Sequence, residues 1–208
     1  MPDPVRLAEE LAAVGRSAVE RGLVVASGGN LSARVPEADG YLMTAAGTWL
    51  DRLTPDDFTL QALGDGSVVD GHPRPSSEWR LHQRTYAARP DVNAIVHLHP
   101  QTAVVLDALG HPIRLLTLDD VAYLREIRRI PFLPNGSDEL ADAAAAASIG
   151  CDVILLANHG CSTLGDTIEM AHRRALCLEV AAQNTLTMLL LGDRETAFPA
   201  GVPPQVHR

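Results

Sequence analysis

Two short apolar runs constrain this chain more than any other feature: AIVHLHP at residues 94–100 and CDVILLANHG at 151–160. Both read as buried strands, and in both a histidine stands where the apolar run gives out. Around them lie segments whose apolar residues recur at helical spacing. Strands and helices therefore interleave along the chain, which makes the class α/β or α+β. Several strand runs are only a few residues apart, which favours a largely antiparallel or mixed sheet over a purely parallel one.

The remaining elements follow from local signals. Leu7, Leu11, Val14 and Val19 give Pro4 to Gly22 a helical face. LVVASGGNLSARV reads as a short β-rich run, a glycine turn and a strand, and GYLMTAAG as a strand ending in a small-residue loop. FTLQALGDGSVV suggests two strands around an Asp-Gly turn. Pro75, Ser76 and Ser77 mark a helix start, placing Glu78 in the first turn, and Pro90 stops that helix by Arg89. PQTAVVLDALG is a helix with Gly110 as its cap, and IRLLTL and IRRIPFL are candidate strands. Ser137 caps a helix whose Asp138 and Glu139 suit the positive end of its dipole. The longest helix starts near Asp166, which has capping-box spacing to Glu169, and ends at Gly192. From Asp193 the chain is Pro-rich and reads as an extended or loosely ordered tail.

Bulk properties narrow the function. The 208 residues, 46% hydrophobic, fit one domain over 1–208 with no composition break. A net charge of −9 argues against nucleic acid as a partner, since the long-range field repels phosphate backbones. Cys151, Cys161 and Cys177 are odd in number and lack CxxC spacing, which points to a reducing compartment. The acidic, amphipathic start is unlike a signal peptide, and LTMLLLG is too short to span a bilayer. A cytoplasmic protein without membrane contact is expected.

The histidines carry the chemistry. Residues two apart in a strand share a face, so His97 and His99 aim one way and Leu98 the other. Pro100 breaks the ladder, placing the pair at a sheet edge that faces a cleft. His159 stands at a second strand end. Three imidazoles there would form a His₃ site with an open position, an arrangement suited to catalytic zinc. Cys161 reads as a soft ligand or, in preference, as a buried, inert thiol. Ser76 and Ser77 place hydroxyls beside unpaired N–H groups, which taken alone reads first as an ordinary helix cap and second as an anion site. Glu78 reads as a dipole-favouring acid, a general base or a fourth ligand. His82, four residues on, reads as packing or surface. The SGGNLS turn can approach a phosphate closely, with TAAG a second wall of the same pocket.

Taken in order, SGGNLSAR, LMTAAG, PSSEWRLH, VHLHP and NHG resemble the class II aldolase/adducin family, and within it the fuculose-phosphate aldolase branch. The likeness runs from the first helix through the last. It implies a three-layer α/β/α domain with a mostly antiparallel central sheet, in a homotetramer. It implies Zn²⁺, with Mn²⁺, Co²⁺ or Fe²⁺ as alternatives, on His97, His99 and His159. The acid/base carboxylate falls on Glu78 and the phosphate site on Gly29, Asn30, Gly47, Ser76 and Ser77. Glu78 argues against the epimerase branch, which usually has Asp there. The implied activity is zinc-dependent cleavage of a small ketose phosphate through an enediolate.

There are departures from the pattern. Ala46 replaces the hydroxyl residue that aldolases place before the loop glycine. The stretch IRLLTLDDVAYL has Leu where a proton-donating tyrosine is expected, with Tyr123 some residues later, and the tail has no tyrosine. A decarboxylase or dehydratase on the same scaffold is the main alternative. A non-catalytic, adducin-like interaction module ranks below both, because a retired enzyme need not keep its ligands.

Overall fold

The computed structural model describes residues 3–199, built around one eight-stranded sheet. The strands are β1 (Asn30–Val35), β2 (Gly40–Thr44), β3 (Phe58–Ala62), β4 (Val68–Gly71), β5 (Ala94–Leu98), β6 (Arg128–Ile130), β7 (Val153–Leu156) and β8 (Gly160–Gly165). They lie in the order β4-β3-β2-β1-β5-β8-β7-β6. Every pairing is antiparallel except β6 against β7, so the sheet is mixed but mostly antiparallel.

Five helices complete the layers: α1 (Pro4–Glu20), α2 (Trp79–Ala88), α3 (Gln101–Ala108), α4 (Asp138–Ser148) and α5 (Ile168–Leu190). Helices α1, α3 and α5 pack on the face formed by Leu31, Ala33, Val96, Leu98, Val153 and Leu155. Helices α2 and α4 cover the other face, with Tyr41, Met43, Ile95, Ile154 and Leu156. The alternation along β5 thus feeds two cores at once, as a strand covered on both sides requires. The expected three-layer α/β/α architecture is present. No described helix is long and apolar enough to cross a membrane.

Local signals set the helix ends. Asp3 caps α1 by accepting from Val5 N, Ser137 caps α4 from Leu140 N, and Gly110 and Gly192 follow α3 and α5 at positive φ. Several expectations fail. The cap of α5 is Thr167, which accepts from Met170 N; Asp166 lies outside. Helix α2 begins at Trp79, so Ser76 and Ser77 belong to the preceding loop and Glu78 is the junction residue. IRLLTL is not a strand. Its N–H groups go to side chains instead, Arg114 N to Thr185 and Leu116 and Thr117 N to Asp120. GCSTLG, which carried no expected strand, is β8, a hairpin partner of β7. The run from Leu23 to Val25 forms no strand.

The tail is better tied than its composition suggests. Asp193 accepts from the N–H groups of Glu195 and Thr196, and Phe198 N donates to Leu115 O at 2.8 Å. The rest of the expected tail, 200–208, lies outside the described residues.

Candidate metal centre

Strand β5 lies between β1 and β8, so the histidine pair stands at the end of a central strand, not at an edge of the sheet. His97 points to the α2 side, opposite Leu98, and is fully buried. His99 follows just past the strand. His159 arrives from the turn joining β7 to β8, where Asn158 adopts φ 55°. Antiparallel register sets Leu98 opposite Cys161, bringing His159 beside His99. Gly160 permits the approach: a Cβ there would stand 2.3 Å from Leu98 O and 2.7 Å from His99 Cδ2.

The three ring centroids lie 4.9–5.1 Å apart, and one nitrogen from each ring lies within 4.8 Å of the others. His97 Nδ1 lies 2.9 Å from Cys161 O, to which its N–H donates, turning Nε2 inward. Metal-bound imidazoles habitually hold their other N–H this way. His97 Nε2 and His99 Nε2 are 3.1 Å apart. The Glu78 carboxylate, 5% exposed, closes the group, with Oε2 at 3.0 Å from His97 Nε2 and Oε1 at 3.5 Å from His159 Nε2. Among the described residues, the buried Oε1 has no hydrogen-bond partner. Three converging imidazole nitrogens beside one under-bonded carboxylate form a donor set that fits a divalent cation.

Electrostatics supports the same fit. Burial alone would raise the Glu78 carboxyl, but His97, His159 and the Asn30 hydrogen bond hold it well below the usual carboxylate range. Burial pushes His99 down to about 3, with His97 and His159 adding repulsion. His159 is lowered by burial and by His97. His97 is raised despite its burial, because Glu78 lies against it. The group thus keeps lone pairs on two rings and a negative carboxylate at neutral pH.

A cleft of about 220 Å³ opens above this group. It is lined by Gly29, Asn30, Gly47, Ser76, Ser77, Glu78, His99 and His159, so the turn, the small-residue loop and the serines do form one pocket. Ser27, Gly28, Thr48 and Asn135 also line it. Asn135 sits in the turn before α4, and nothing in its sequence context marked it. Ala46 lies in the wall, and no tyrosine lines the cleft among the described residues. Tyr123 instead bonds Arg173 at 3.1 Å. Cys161 is fully buried among the apolar residues of the opposite face, which raises its thiol to about 12 and leaves it no ligand role.

Sequence reasoning missed three supporting residues. Buried Glu179 of α5 accepts from Thr102 N and Ala103 N, holding the start of α3 just after His99. Asp107 accepts from Asn158 N at 3.1 Å, tying down the turn that carries His159. His82 is fully buried and bonded to Asn30, so its surface reading is wrong. Its spacing of four from Glu78 was the one available signal.

Comparison with known proteins converges on one family. Residues 9–186 match the Class II Aldolase and Adducin N-terminal domain. An L-fuculose phosphate aldolase of Methanocaldococcus jannaschii is 37% identical over 176 residues, 85% of this chain and 93% of that protein. A methylthioribulose-1-phosphate dehydratase of Bradyrhizobium sp. is 33% identical, over 84% of this chain and 87% of its own. The crystal structure of L-fuculose-1-phosphate aldolase from Thermus thermophilus superposes with a TM-score of 0.79 at 30% identity, covering 90% of this chain and 96% of that one.

Proposed function

The chain belongs to the class II aldolase and adducin family, and on that premise we propose that it is a zinc-dependent lyase cleaving a small ketose phosphate. The observation that carries this reading is the placement of the Glu78 carboxylate against His97 and His159, at the floor of the cleft that the glycine and serine loops line.

His97, His99 and His159 would hold the cation, which supplies Lewis-acid charge for the substrate's oxygens. Glu78 moves the proton on the carbon whose bond to its neighbour breaks, using the oxygen that has no other partner. Ser76, Ser77, Gly29, Asn30 and Gly47 receive the phosphate and fix the register of the substrate against Glu78. Buried walls exclude bulk water from the carboxylate. The same reading carries a cytoplasmic homotetramer, which light scattering on the purified protein tests.

A dehydratase is the second reading. With Ala46 in the wall and no tyrosine lining the cleft among the described residues, no evident group takes the proton from the hydroxyl that becomes the aldehyde, and a dehydratase stands among the relatives. One experiment separates the two: zinc-supplemented protein offered ketose 1-phosphates and unphosphorylated ketoses, with products resolved by mass. Release of an aldehyde and a three-carbon ketose phosphate supports the aldolase. Loss of water alone overturns it. Glu78→Gln should retain zinc and lose turnover, and full activity in that variant removes the carboxylate from the scheme.

A further inference from the structure

Beneath Glu78 runs a chain of buried hydrogen bonds. Tyr86 Oη lies 2.8 Å from Ser32 Oγ, which lies 2.6 Å from His82 Nδ1. His82 Nε2 lies 2.5 Å from Asn30 Oδ1, and Asn30 Nδ2 lies 2.9 Å from Glu78 Oε2. None of the five residues is more than 5% exposed. Two come from β1 and three from the α2 segment, so the chain crosses from sheet to helix.

The direction of this chain follows from its ends. An ionised carboxylate only accepts, so Asn30 must turn Nδ2 towards Glu78. Oδ1 then faces His82, which must carry its hydrogen on Nε2. Nδ1 is left with a lone pair and accepts from the Ser32 hydroxyl, whose oxygen accepts from Tyr86. Burial pushes the Tyr86 phenol up, so the terminal O–H is retained. Reversing any link would set two donors or two lone pairs against each other in a buried layer, at a cost of about 1–3 kcal/mol per unmet group.

We propose that His82 is a positioning residue: its Nε2–H locks the Asn30 amide, and the amide pins Glu78 Oε2 so that Oε1, which has no hydrogen-bond partner among the described residues, is left for proton transfer. The proposal rests on Glu78 being the acid/base of the reaction. Without the His82 donor Asn30 Oδ1 loses its anchor, so the amide is held by the carboxylate alone and can tilt, carrying Glu78 out of line.

The test uses zinc-loaded protein and a ketose 1-phosphate that the wild type turns over. His82→Leu should lower kcat about 10–100-fold, the usual cost of losing an outer-shell partner, with KM and zinc content unchanged. His82→Gln, which can again offer an N–H, should recover most of the loss. In an Asn30→Ala background His82→Leu should have no further effect, since its partner is gone. Unchanged kcat in His82→Leu, or a full additive loss in the Asn30→Ala background, overturns the proposal. A readout independent of activity is the ¹⁵N spectrum of the imidazoles, in which His82 should be the neutral Nε2–H tautomer throughout about pH 6–8. The Nδ1–H tautomer, or titration in that range, overturns it as well. Should the wild type turn over none of these substrates, the functional reading fails while the spectrum still decides the direction of the chain.

Discussion

Glu179→Ala probes how the fold holds the histidine pair in place. Helix α3 starts at Gln101, two residues after His99, and its first N–H groups have no partner within the helix. Glu179, reaching over from α5, accepts from Thr102 N with both oxygens and from Ala103 N, each bond 3.1 Å. Ala103 is fully buried, so losing its acceptor costs about 1–3 kcal/mol. Thr102 is half-buried and partly rescued by water, which adds about 1 kcal/mol. Removing the anion from the positive end of the helix adds about 0.3–1 kcal/mol. The sum is about 2–5 kcal/mol, and at about 2–4 °C per kcal/mol for a chain of this size Tm should fall by roughly 4–20 °C. Glu179→Gln keeps one accepting oxygen and should lose about half as much. Scanning calorimetry on the metal-free protein reads the shift, and zinc titration of the same variants should show weaker binding because the tether beside His99 is gone. A Glu179→Ala protein melting within about 2 °C of the wild type would refute the reasoning.

Three further outcomes are expected. Replacing His97, His99 or His159 by Ala should abolish stoichiometric zinc in elemental analysis; an unchanged metal content would dissolve the proposed site. Gly160→Ala forces a Cβ against Leu98 O, so β8 must shift from β5, destabilising the fold by about 1–3 kcal/mol and lowering bound zinc. Unaltered urea unfolding would show that the strands have slack there. Burial pushes His82 from 6.5 down to about 3, so between those values the unfolded state binds the proton that the folded state refuses. Stability from this residue is complete above pH 6.5 and drains away as pH falls towards 3, about 2 kcal/mol of it between pH 7 and pH 5. Urea unfolding of metal-free His82→Gln at those two pH values should show that much less pH dependence; the same slope as wild type would sink the assignment.

Much of the fold was legible because its signals are local. Asp3 and Ser137 cap helices by bonding N–H groups two and three residues on, and Gly110 and Gly192 end them by adopting a backbone that other residues resist. The misreadings have a common cause. IRLLTL has the composition of a strand, but a strand also needs a partner edge, and Thr185 and Asp120 take up its N–H groups instead. GCSTLG lacks that composition yet forms β8, because β5 and β7 flank it and supply the ladder on both sides. Glu78 looked like a first-turn helical acid. The loop before α2 is held to β2 through Ser76 N to Thr44 O, which delays the helix and leaves the carboxylate directed at His97.

The two-residue period of an extended chain was enough to aim His97 and His99 to one side, since that depends only on backbone dihedrals within β5. Their meeting with His159, far along the chain, depended on the β5–β8 register and on a glycine small enough to let those backbones touch. The buried polar layer under α2 was likewise invisible in the sequence. Hydrogen bonds between β1 and α2 are made across space, and a linear pattern does not record which face of one element will cover which face of another.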